Sequence, residues 1–159
     1  MKLELIIVYL CKHYPYTNEL SNSRLTKLVY LADWFSCLLN GKQMTDIIWV
    51  FNHYGPYVND VLEEVNKSNF LEVQMDFNFY GSPKYIIKLI NDKNIFFEEI
   101  ISQSDKEILG FVISKTKTMH YNSFIDYVYS TYPISSSQRY DNLDLIELAQ
   151  EYKLNSNYV

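Results

Sequence analysis

Residues 24–65, RLTKLVYLADWFSCLLNGKQMTDIIWVFNHYGPYVNDVLEEV, join a helix, an aromatic strand and a second helix in fixed order. Leu25, Leu28, Val29, Ala32, Phe35, Leu38 and Leu39 recur at three and four residues, which sets one face of a helix against a core. Asn40-Gly41 ends that helix, because glycine enters the left-handed conformation at little cost. Ile47, Ile48, Trp49, Val50 and Phe51 form a short β-prone run that breaks at Asn52-His53-Tyr54-Gly55-Pro56. Pro56 suits the first turn of a helix, where its missing amide hydrogen is not needed. That helix is expected to reach about Lys67, with Val58, Val61, Leu62 and Val65 inward and Asp60, Glu63 and Glu64 outward.

Outward from this stretch, Lys2 to His13 reads as an amphipathic helix that Tyr14-Pro15-Tyr16 breaks, and Ser21 or Ser23 caps the helix that follows. Leu71 to Phe79 alternates apolar and polar residues, the period of a half-buried strand, and Tyr80-Gly81-Ser82-Pro83 turns it back along Lys84 to Leu89. A lone hairpin is marginal in water, so the Ile47–Phe51 run is expected to join it in a small three-stranded antiparallel sheet. Asp92-Lys93-Asn94 reads as a loop. Helices then start near Ser104, near Asn122 or Ser123 and near Asp141 or Asn142, with Pro133 and a Ser135–Gln138 loop before the last. The expected fold is a single, mostly helical α+β domain over residues 1–153, with a frayed tail at 154–159.

At 159 residues the chain can build one real core, and 48% hydrophobic residues against 21% charged exclude a disordered chain. Fifteen Tyr, nine Phe and two Trp make the aromatic content high; most of the Tyr is expected in or near the core, and some at a surface, because a phenol joins an apolar body to a polar tip and so suits an interface. The net charge is −5, with four cations against eight carboxylates in residues 56–103. No basic block exists of the kind that neutralises phosphates, so the balance favours a basic protein partner over nucleic acid. Cys11 and Cys37 fall in helices and read as reduced core residues. Glu4 interrupts the apolar N-terminus, no stretch is long enough to span a membrane, and a cytoplasmic location is the expectation.

The Lys27-Leu28-x-Tyr30-x-Ala32-Asp33 helix, Gly41-Lys42 behind it, and Tyr54-Gly55-Pro56 followed by Val58, Val61 and Leu62 resemble the Panacea domain. This family is also called the SocA-like antitoxin domain and is phage-associated. The resemblance rests on the first half of the chain. It implies a small antitoxin, encoded beside an unrelated toxin, that neutralises this cognate toxin by direct binding. One branch of the family is described as delivering its toxin to a ClpX-type protease. The resemblance also implies a protein that is not an enzyme and needs no cofactor.

The residues themselves carry little catalytic chemistry. His13, His53 and His120 lie far apart, neither Cys has a partner at ligand spacing, and no glycine-rich phosphate loop exists. His53-Tyr54-Gly55-Pro56 could form an active-site corner, but no second general acid or base lies nearby in sequence, and packing or partner contact explains it better. A winged-helix DNA-binding regulator is the alternative, with Arg24, Lys27, Lys84 and Lys88 as its cations, although Asp60, Glu63 and Glu64 would repel phosphates. A toxin-binding surface needs aromatic anchors ringed by polar groups. Tyr30, Asp33, Trp34, Trp49, His53, Tyr54 and Tyr57 are its candidates, with Asp33 and His53 as polar members. Gly41, Gly55 and Pro56 shape the backbone around them.

Overall fold

The computed structural model describes residues 2–91 and 97–156. The chain begins with α1 (Lys2–His13) and α2 (Asn22–Asn40), then β1 (Trp49–Asn52), β2 (Gly55–Pro56) and α3 (Asp60–Lys67). A hairpin of β3 (Leu71–Phe77) and β4 (Pro83–Leu89) follows, and after it α4 (Phe97–Ile100), α5 (Gln103–Thr116), α6 (Tyr121–Ser130) and α7 (Tyr132–Ser135). The two-residue β5 (Asn142–Leu143) and α8 (Leu145–Ser156) complete the described chain. The fold is α+β and mostly helical, as expected.

The axis of the molecule is α2. Ser21 Oγ accepts the Arg24 amide at its start, and Gly41 at φ 71° closes its end, with its N–H donated to Cys37 O. The apolar repeat predicts one buried face. Instead every residue from Arg24 to Trp34 is buried, because α1, α3, α5, α8 and β4 surround the helix. A helix enclosed on all sides forms the centre of a core rather than its edge. Replacing a central contact such as Leu28 with Ala leaves a cavity costing about 2–5 kcal/mol. Cys11 and Cys37 are buried here, and burial pushes both thiols up to about 12, which keeps them unreactive.

A three-stranded antiparallel sheet is present, but its members differ from the expected ones. β1 lies between β2 and β5, with Phe51 opposite Pro56 and Trp49 opposite Leu143. The hairpin β3–β4 is a separate two-stranded sheet in register from Leu71 opposite Leu89 to Phe77 opposite Pro83. It is steadied at its base by α1 and by Leu20, whose carbonyl accepts the Ile87 amide. Asn78 closes its turn: the side-chain oxygen accepts the amides of Tyr80 and Ser82, and Gly81 takes φ 79°.

Pro56 does not begin a helix. It ends β2, the ladder continues through the Tyr57 amide to Val50 O, and α3 starts four residues later at Asp60. Proline fits this strand position because no ladder bond asks for its missing N–H. Val61 and Val65 of α3 are buried, while Asp60 and Glu63 face solvent. Ser102 caps α5 rather than Ser104, His120 sits before α6, and Asp144 accepts the Glu147 amide at the start of α8. That helix runs to Ser156. The expected Asp92-Lys93-Asn94 loop lies outside the described residues.

Candidate partner-binding surface

Two layers meet around the turn that joins β1 and β2. The inner layer hangs on Asp33, which α2 holds at 0% exposure. Its Oδ1 accepts the amides of Met44 and Thr45 at 2.9 and 3.0 Å. Its Oδ2 accepts Trp49 Nε1 at 2.8 Å, Thr45 Oγ1, and Gln43 Nε2 at 3.3 Å. One carboxylate thereby gathers the loop from α2 to β1 and fixes the indole that opens β1. Burial pushes the Asp33 carboxyl up to about 6, against the pull of those donors, which favour the charged form.

Tyr30 stands one turn earlier, edge-on to the Trp49 ring at 5.5 Å, with its hydroxyl 2.8 Å from Thr131 Oγ1. Trp34 packs edge-on against Tyr152 of α8 at 6.0 Å. Tyr30, Asp33, Trp34 and Trp49 are therefore interior groups. As candidates for contact with a partner they are corrected to a core role, because enclosure of α2 leaves none of them on the surface. They set the shape of that surface from below.

The outer layer is aromatic and exposed. His53 and Tyr54 are at the turn, ring against ring at 4.5 Å, and Tyr54 is 75% exposed. Tyr54 shares a shallow cleft of about 240 Å³ with Tyr121, Asn122, Ile125, Asp126 and Tyr129, all from α6. On the other side, Arg139 Nε donates to His53 O at 3.1 Å, and its guanidinium lies 5.7 Å from the Phe51 ring centre. Tyr140, held at φ 75°, brings its hydroxyl to 3.4 Å from His53 Nδ1. Tyr57 is half-buried, and its hydroxyl accepts Asn22 Nδ2 at 2.8 Å.

Gly55 makes the turn possible twice over. Its φ of 102° suits no L side chain, and a Cβ there would lie 3.3 Å from the Tyr129 ring and 3.7 Å from Lys27 Cε. Lys27 is buried below it, its amine donating to Ser23 Oγ at 2.9 Å, and burial pulls the amine down to about 8. Arg24, one turn earlier, is furnished more fully. Its guanidinium bonds Tyr14 Oη, Thr116 O and Met119 O and stacks 4.5 Å from the Phe124 ring centre. Both cations are interior, so neither can meet a phosphate, which removes two of the four on which a DNA-binding reading leaned. A third, Lys88, is turned onto Asn18 Oδ1 at 2.7 Å.

The family model described as antitoxin SocA-like, Panacea domain, matches residues 25–133, from the first turn of α2 into α7. The chain belongs to the SocA-like, Panacea-domain antitoxin family. The match extends through α5 and α6, well beyond the helix and turn that carry the resemblance, so Tyr121 and Tyr129 lie inside the family domain while Arg139 and Tyr140 follow it. No curated protein and no solved structure matches the chain.

Two of the seven candidate residues, His53 and Tyr54, stand in this exposed cluster, and Tyr57 follows it in the chain, half-buried against Asn22. Tyr121, Tyr129, Arg139 and Tyr140 join it from the second half of the chain and are not among the sequence candidates. A signal for two of them was present: Tyr121, Ile125 and Tyr129 recur every four residues, a second stripe beside the buried Phe124 and Val128. Among the described residues there is no cluster of three metal-ligating side chains, and no helix is long and apolar enough to cross a membrane.

Proposed function

We propose that this antitoxin neutralises its cognate toxin by direct contact, without catalysis and in the cytoplasm, through the surface built on His53, Tyr54, Tyr57, Tyr121, Tyr129, Arg139 and Tyr140. The observation that carries the reading is the concentration of exposed tyrosine with one arginine and one histidine around a single rigid turn. Tyrosine and arginine are the anchors that dominate interface energetics, since they bury large areas with few torsions to freeze. Gly55 lets the turn close and Arg139 Nε donates to His53 O across it, which supports anchors ordered before a partner arrives.

The test is co-expression with the product of the adjacent gene that halts growth on its own. The pair Tyr54→Ala and Tyr140→Ala should abolish rescue and weaken co-purification by about thirtyfold or more, with an unchanged melting temperature. Rescue that survives both substitutions rejects this surface. Toxin abundance is read in the same cultures: neutralisation by masking leaves it constant, whereas delivery to a ClpX-type protease lowers it.

A further inference from the structure

The hairpin β3–β4 carries a run of apolar side chains that the described fold leaves uncovered. Leu71, Val73, Met75 and Phe77 stand opposite Leu89, Ile87, Tyr85 and Pro83, and opposite residues of an antiparallel pair share a face. The stripe begins in the core, with Leu71 and Ile87 buried, and runs into solvent, where Met75, Phe77 and Tyr85 are each more than half exposed. Phe79 and Tyr80 extend it at the tip.

The two edges of this sheet differ. The Ile90 amide donates to Phe70 O, which fixes the phase of the ladder: even-numbered residues of β3 bond to β4 and odd-numbered ones point away. On β4 the same phase turns Ile87 outward, where its amide donates to Leu20 O at 2.8 Å, and Ser21 bridges to Ile86. That edge is occupied. On β3, Val73 and Met75 direct N–H and C=O away from β4, and among the described residues no strand pairs with them.

Charge selects what can pair there. Glu72 and Asp76 lie on the face opposite the apolar stripe, across from Lys88 and Lys84 of β4, so a strand added beside β3 meets the two carboxylates directly and the two lysines one strand further away. Neither carboxylate is in an ion pair among the described residues: Glu72 accepts Gln74 Nε2, and Asp76 accepts the Phe77 amide. An antiparallel pairing of β3 with β3 of a second copy, centred on Gln74, would set Glu72 against Asp76 twice, and like charges directly opposite destabilise a sheet. That register is unfavourable for a second copy, whereas a strand of opposite sign meets the β3 carboxylates favourably.

We propose that the outer edge of β3 is a docking site for an extended segment of a partner protein in which apolar and basic residues alternate. The segment adds a third strand at Val73 and Met75, its apolar side chains continue the Met75 and Phe77 stripe, and its basic side chains meet Glu72 and Asp76. This edge is built from elements other than those of the tyrosine surface, and it stands or falls independently of it.

The experiment measures amide hydrogen exchange of the full chain with a seven-residue peptide alternating lysine and valine, and with the same peptide carrying glutamate for lysine. The basic peptide should slow exchange at Val73 and Met75 several-fold and the acidic one should leave it unchanged. Met75→Pro removes an N–H that β4 does not use, so it should keep the hairpin and abolish protection at Val73. Should that variant unfold the hairpin, the pair Glu72→Lys and Asp76→Lys provides the test, with preference passing to the acidic peptide. No slowing with either peptide, equal slowing with both, or a dimer of the chain alone that Met75→Pro dissolves would overturn the proposal.

Discussion

Helix α2 and the hairpin β3–β4 invert the usual placement of side chains. The helix encloses Arg24, Lys27 and Asp33, whereas the hairpin leaves Met75, Phe77, Tyr85, Tyr80 and a 97% exposed Phe79 in water. The helix tolerates its charges because donors and acceptors from distant segments converge on two of them, five donors on Asp33 and three acceptors on Arg24. The hairpin keeps its apolar groups because seven ladder positions and the Asn78 turn hold it without a second layer over its outer half. Burial follows whether partners are supplied at a place, and residue type only biases it.

The strongest way to break this contrast is to remove the Asp33 carboxylate. Asp33→Ala strands the Trp49 indole N–H and two loop amides in the core, and urea unfolding should show a loss of about 4 kcal/mol, since each unpaired buried donor costs ~1–3 kcal/mol. The native group also has a pH signature. Its pKa rises on folding from 3.8 to about 6, so its contribution is fully present below pH 3.8 and is lost as pH climbs through about 6. Comparing unfolding of the native chain with Asp33→Asn from pH 4 to 7 isolates that slope; equal slopes would refute it.

Lys27 sharpens the contrast, as the charge of α2 with the fewest partners. Arg24 bonds three oxygens, pairs with Glu19 at 3.8 Å and lies against the Phe124 and Tyr14 rings, while the Lys27 amine has Ser23 Oγ. Replacing a sparsely paired buried charge with an apolar group of its shape is neutral or favourable. Lys27→Met should therefore gain about 1 kcal/mol near pH 7. Folding lowers the Lys27 pKa from 10.5 to about 8, so native stability should rise from pH 8 towards 10.5 in a way that Lys27→Met does not reproduce. Loss of stability in that variant would assign the amine a structural bond of its own.

The smallest effect belongs to the hairpin tip. Phe79→Ser with Tyr80→Ser touches side chains already in water, so the unfolding free energy should stay within about 0.5 kcal/mol. A larger drop would mean that the tip packs on the body, and the contrast between the two regions would narrow.

Most helices and the hairpin were legible in sequence, because the 3.6 and 2.0 periods of Lys2–His13, Asn22–Asn40 and Leu71–Phe77 report directly on local geometry. The partners of β1 were not. They depend on the Trp49 bond to Asp33, 16 residues away, and on Asn142-Leu143, a strand too short to carry a pattern. The depth of α2 was hidden for a related reason: Arg24 and Lys27 read as cations for a phosphate contact and Asp33 as a polar group of a partner surface until their partners inside the fold are known. The turn at His53-Tyr54-Gly55 stood out through its glycine and proline, whereas Arg139 and Tyr140 reach it only by tertiary folding, 86 and 87 residues along the chain.

The Arg24 guanidinium also sets a schedule. Its carbonyl partners on Thr116 and Met119 are synthesised 92 and 95 residues after it, so on the ribosome α2 emerges long before the groups that let its charge be enclosed. A nascent chain cut short before Met119 keeps α2 with an arginine that has Tyr14 and Glu19 but lacks the Met119 carbonyl, and with Tyr121, Tyr129, Arg139 and Tyr140 absent. The tyrosine surface proposed above is therefore assembled only late in translation.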